Sequence, residues 1–144
     1  MLRRTTALAC LPVAGALALS GCGQTESDRA RKAAAGYVHD LGARDGARVC
    51  ADMTRALQRT FVTTVTASNP EVRGLICGEI MDRALSSLPQ EQLDAFTTAK
   101  IEDVKLDGAT GSFAYRLHDI KVPGKVAQEA GGWKVSCCVP GQQT

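Results

Sequence analysis

The sequence predicts an α+β domain in which three helices pack on an antiparallel sheet of about four strands. Two observations carry this. Apolar residues recur at helical spacing up to Leu88, and the period changes to alternation from Ala99 onward. Asp107-Gly108 and Gly131-Gly132 then stand between strand-like runs, where hairpin turns belong. Helices followed by a meander of strands place the helices together on one face of the sheet.

In chain order, Ser27 or Asp28 is suited to cap a first helix whose stripe is Ala30, Ala33, Ala34, Tyr37, Val38 and Leu41, ending at Gly42. A second helix, capped near Asp45, carries Val49, Cys50, Met53, Leu57 and Phe61 on one face and fades in the β-branched stretch to Thr66. Asn69-Pro70-Glu71 supplies a cap, a first-turn proline and an acid at the positive end of the dipole, and so starts a third helix. Its stripe is Val72, Leu75, Ile76, Ile80, Ala84, Leu85 and Leu88, and a turn from Pro89 to Phe96 leads into the sheet. The strand runs are Ile101 to Leu106, Gly111 to His118, a run through Val126, and Trp133 to Cys137. In the second, Phe113, Tyr115 and Leu117 point to one face, and Ser112, Ala114, Arg116 and His118 to the other.

The residues ahead of this domain have a different character. Arg3 and Arg4 precede the apolar run Ala7 to Leu19, a positive region and an apolar region in the order of an export signal. The run is shorter than the roughly 20 residues a spanning helix needs, and Pro12 interrupts it. Leu19-Ser20-Gly21-Cys22 follows and resembles the lipobox of bacterial lipoproteins, whose cysteine thiolate takes diacylglycerol. The resemblance implies a signal peptide over 1–21, a lipidated Cys22 with a short tether over 22–28, and a domain held at the outer face of a cell membrane. Thr5 and Thr6 lack the apolar character that twin-arginine export would need. The 17 basic residues include Arg3 and Arg4, so cleavage leaves 15 against 15 acidic residues and no basic stripe to steer nucleic acid.

The order of parts, the segments Ile101-Glu102-Asp103-Val104-Lys105-Leu106-Asp107-Gly108 and Val126 to Val135, and the helical pair Cys50 and Cys77 resemble small actinobacterial lipoproteins of the nuclear-transport-factor-2-like superfamily. That implies one domain over 29–138, with its sheet curved into a cone, and a C-terminal tail over 139–144. These motifs are structural and speak to fold far more than to activity.

With Cys10 in the leader and Cys22 lipidated, Cys50, Cys77, Cys137 and Cys138 remain, and four cysteines allow three pairings. The resemblance pairs Cys50 with Cys77, bridging the second and third helices. Cys137 and Cys138 depart from the family, whose second pair is separated by several residues. Adjacent strand residues face opposite ways, so a ring between them needs a broken strand, and a bridge to another chain competes with it. His39 and His118 lie far from the cysteines in sequence, and no metal site or other cofactor is expected.

Relatives of the ketosteroid-isomerase-like and dehydratase-like kinds move protons inside the cone, which requires a base of raised pKa and a donor for the oxyanion. Tyr37 and Tyr115 are candidate cavity hydroxyls, with Phe113, Leu117 and Trp133 as apolar wall; the competing reading is a packed core. A two-residue turn at Asp107-Gly108 sets Glu102 opposite Phe113, inside. A bulge near Glu102-Asp103 instead puts Ile101, Val104 and Leu106 inside and returns both acids to solvent; it buries more apolar surface and is preferred. His39 and His118 read as surface residues beside Asp40 and Asp119. The functional expectation is therefore a non-catalytic domain binding a small apolar ligand or an envelope protein. An acid/base enzyme and a purely structural envelope module are the alternatives.

Overall fold

The computed structural model describes residues 23–138. The expected leader, the expected lipidation site Cys22 and the expected tail 139–144 lie outside the described residues. Within them the architecture is α+β, with five helices and a four-stranded antiparallel sheet in the order β1-β2-β3-β4.

Helix α1 (Glu26–Gly42) starts two to three residues earlier than a cap at Ser27 or Asp28 would place it. Thr25 is the cap: its hydroxyl accepts from the Asp28 amide at 3.1 Å, and Asp28 accepts in return from the Thr25 amide at 3.1 Å. The Thr25 hydroxyl, at 2.7 Å, and the Thr25 amide both donate to the Asp28 carboxylate and hold it below its ordinary pKa.

The three expected helices are five. The second is two, α2 (Gly46–Ala51) and α3 (Arg55–Ser68), because the chain between them leaves the helix to serve the sheet. The Val135 amide donates to the Asp52 carbonyl at 2.7 Å and the Thr54 amide to the Val135 carbonyl at 2.8 Å, covering the sheet edge; Thr54 then caps α3. The expected third helix is one 3-10 turn (Pro70–Val72), then α4 (Cys77–Ser86), with Gly74 at φ 87 between them. Ile76, expected on the buried stripe, is therefore outside the helix and 70% exposed. The segment read as a turn is α5 (Gln90–Thr98), which starts after Pro89 and buries Leu93, Ala95 and Phe96.

Helices α2 and α4 approach closely where two glycines meet. A Cβ on Gly46 would strike the Gly78 carbonyl and Asp82, and the Gly46 amide donates to Asp82 Oδ1 at 2.7 Å. The Cys50–Cys77 disulfide joins the same two helices, as the resemblance implied.

The strands are β1 (Ile101–Asp107), β2 (Thr110–Leu117), β3 (Ile120–Glu129) and β4 (Gly132–Cys137). Asp107 pairs with Thr110, so the first turn is Gly108-Ala109 and not Asp107-Gly108; Gly108 takes φ 58 there. The register slips between Glu102 and Lys105, with Asp103 at φ 50, which is the bulge the apolar spacing required. Ile101, Val104 and Leu106 accordingly pack against the core. The core lies between the helices and the inner sheet face, built from Tyr37, Val38, Leu41, Phe61, Ile80, Met81 and Phe96 against Phe113, Tyr115, Val126, Trp133 and Val135.

Candidate functional site

Every residue expected to line a ligand cone is in this core. Tyr37, Phe113, Tyr115 and Trp133 are buried, and Leu117 is half-buried near the open end of β2. Phe113 stacks with Tyr115 at a centroid distance of 6.2 Å, and Phe96 of α5 meets Tyr115 at 6.5 Å. The Trp133 indole donates to Glu26 Oε2 at 2.8 Å, which joins the start of α1 to β4.

The two tyrosine hydroxyls are different. Neither has a hydrogen-bond partner, although both are fully enclosed. Burial pushes the Tyr115 pKa up to about 12, and burial together with the Tyr115 hydroxyl raises that of Tyr37 further. Both therefore remain neutral donors. A buried hydroxyl without a partner costs roughly 1–3 kcal/mol, so a pair of them is a place where one polar atom would be well received.

The acids a proton-transfer site would need are elsewhere. Glu102 lies on the outer sheet face, 3.5 Å from Arg116, and Asp103 is ion-paired with Lys121. That pairing holds the exposed Asp103 carboxyl below its usual pKa. His118 is exposed at the end of β2. Sequence reasoning missed one acidic grouping: Asp40, buried on α1, stands near Asp52, which follows α2. Burial raises the Asp52 carboxyl, Lys134 opposes this, and the charge of Asp40 adds to it. His39 Nδ1 lies 3.3 Å from Asp40 Oδ1. None of these groups hydrogen-bonds either tyrosine hydroxyl. Among the described residues, no cluster of three or more His, Cys, Asp or Glu side chains is gathered as a metal would require.

The outer face of the sheet is the second surface of interest. The register sets Lys105, Ser112, Lys125 and Cys137 side by side across all four strands. Lys105 and Lys125 are exposed and neither forms an ion pair with a described residue. The next row holds Glu102, Ala114 and Pro123, and an open groove of about 450 Å³ runs over Lys105, Ala114, Lys121, Lys125, Cys137 and Cys138. The alternation of β2 foretold which face Ser112 and Ala114 would take, but the lysine row depends on cross-strand register.

Cys137 and Cys138 are bridged to each other. The broken strand that such a ring needs is present: β4 ends at Cys137, the register slips between Lys125 and Val126, and Cys138 turns to φ 73. Among the described residues, no helix is long and apolar enough to cross a membrane. No protein-family model, no curated protein and no solved structure matches this chain.

Proposed function

We propose that the chain is an extracytoplasmic domain tethered by lipid on Cys22, and that it binds an acidic segment of an envelope protein, without catalysis, through the outer face of its sheet. The observation carrying this reading is the cross-strand row Lys105, Ser112 and Lys125: two exposed ammonium groups that form no ion pair among the described residues, flanking an exposed hydroxyl, with Asp103 the acid near Lys105. Charged groups arranged in this way steer and orient an anionic partner.

A protein segment is favoured over the membrane surface by the place where the tether leaves the domain. Glu26, at the start of α1, is bonded to Gln128 and Trp133, so the tether departs from the end of the sheet that carries Asp107 and Glu129. That end carries Asp107 and Glu129, the latter engaged by Arg55, and the lysine row lies instead on the broad face. Helices on one face of an antiparallel sheet, with a bulge in its first strand, are also the basis for proposing the nuclear-transport-factor-2-like cone.

The test is a titration of the domain with a glutamate-rich peptide, read at the Lys105, Ser112 and Lys125 amides by NMR. Saturable shifts that are lost in K105E/K125E, with no equal response to vesicles containing anionic lipid, are expected. Equal shifts with a glutamine-rich peptide would overturn the proposal. For the anchor, intact mass should show an acyl addition at Cys22 that Cys22→Ser abolishes.

The unpartnered hydroxyls favour a second reading, a small apolar ligand whose single polar atom sits between Tyr37 and Tyr115. Native mass spectrometry of membrane-extracted protein tests it, since Y37F/Y115F should then lose the adduct.

A further inference from the structure

The bridge between Cys137 and Cys138 is not explained by folding. A disulfide stabilises chiefly by closing a loop in the unfolded chain, and Cys50–Cys77 does so over a separation of 27 residues. Cys137 and Cys138 are one residue apart, so their ring restrains almost none of the unfolded chain. It is instead a burden on the folded state, because Cys138 is held at φ 73, a left-handed conformation that a residue with a Cβ adopts only at a cost.

The surroundings suit a reactive sulfur. Cys137 is the cross-strand neighbour of Lys125, and the groove containing both sulfurs is lined by Lys105, Lys121, Lys125 and the acid Asp103, itself engaged by Lys121. Nearby ammonium groups stabilise a thiolate over a thiol. Both cysteines are half-buried and border an open groove, so an attacking thiolate can reach them; Cys50 in the other bridge is 5% exposed.

We infer that Cys137 and Cys138 form a thiol–disulfide exchange site on the outer face of the sheet, reduced by dithiols while Cys50–Cys77 stays closed. An incoming thiolate attacks one sulfur of the pair, a mixed disulfide forms, and the other cysteine leaves as a thiolate beside Lys125. The second thiol of the reductant then attacks the mixed disulfide. The reductant departs as its own disulfide, and two electrons and two protons pass to the cysteine pair. Reduction frees Cys138 from its left-handed conformation. This site shares its groove with the proposed docking surface but does not depend on any partner binding there.

The experiment titrates the full-length folded protein with dithiothreitol at neutral pH, traps thiols by alkylation, and maps the peptides. Cys137 and Cys138 should be alkylated together at a reductant concentration at least about tenfold below that needed for Cys50 and Cys77, the factor expected when one bridge carries a left-handed residue and the other does not. Lys125→Gln should slow alkylation of the reduced pair several-fold and leave the Cys50 and Cys77 response unchanged. Opening of both bridges at one reductant concentration would overturn the inference. So would Cys137 and Cys138 found, before any reductant is added, as unbridged thiols or joined to another chain.

Discussion

Removing the Cys50–Cys77 bridge tests the account of stability most directly. The bridge closes a loop spanning 27 residues between α2 and α4. In the chain-entropy relation a loop of that size is worth about 3.5 kcal/mol at room temperature. Cys50 is also in the core at 5% exposure, and cutting its side chain back to a methyl group removes about 1 kcal/mol of apolar burial. C50A/C77A should therefore lose about 4.5 kcal/mol. For a domain of this size, with a urea slope of about 2 kcal/mol per molar, the unfolding midpoint should fall by about 2 M. Because the effect sits in the unfolded chain, the slope should rise as the unlinked chain expands. The helices should keep their circular dichroism in buffer, since Gly46 and Gly78 still leave room for the two helices to pack closely. A midpoint within about 0.5 M of the wild type would refute the loop-closure reasoning.

Tyr37→Phe and Tyr115→Phe should each leave the fold intact and leave the stability of ligand-free protein unchanged or raised by up to about 1 kcal/mol, because each deletes a buried hydroxyl without a partner. A loss of more than about 1 kcal/mol in urea unfolding would mean that a bound polar atom had been removed. Burial raises the folded-state pKa of Asp52, so its ionisation works against the fold as pH rises through that value. Asp52→Asn should then be slightly more stable than wild type at neutral pH, by under about 1 kcal/mol for a partly solvated group, and the difference should vanish below the carboxylate range. A pH-independent difference in melting temperature would contradict the sign. Gly124 faces the Phe113 ring across β2 and β3, and a Cβ there would run into it. Gly124→Ala should cost about 1–3 kcal/mol in thermal or urea unfolding, and a neutral result would show that the ring has room to move.

Much of this fold was legible in the sequence wherever local spacing and burial point the same way. The stripe of α1, the cap at Asp45, the change of period at Ala99 and the outward turn of Glu102 and Asp103 all follow from placing apolar side chains on one side of a helix or strand. The bulge was readable because Ile101 and Val104 are out of step with strict alternation, and only an extra residue brings both inside. The break between α2 and α3 was not readable, since Asp52 to Thr54 leave the helix for hydrogen bonds with Val135, far along the chain. Helix α5 was hidden by its shortness and by Pro89, which reads equally as a turn or a helix start.

The candidate sites divide along the same line. Tyr37 and Tyr115 were identifiable as inward residues from their periods, but only the packed core decided that their hydroxyls would meet no partner. The lysine row and the setting of Cys137 beside Lys125 come from strand register. Composition and periodicity determine which side chains leave water. Register and long-range backbone pairing decide which of them become neighbours, because those hydrogen bonds join residues that no local pattern connects.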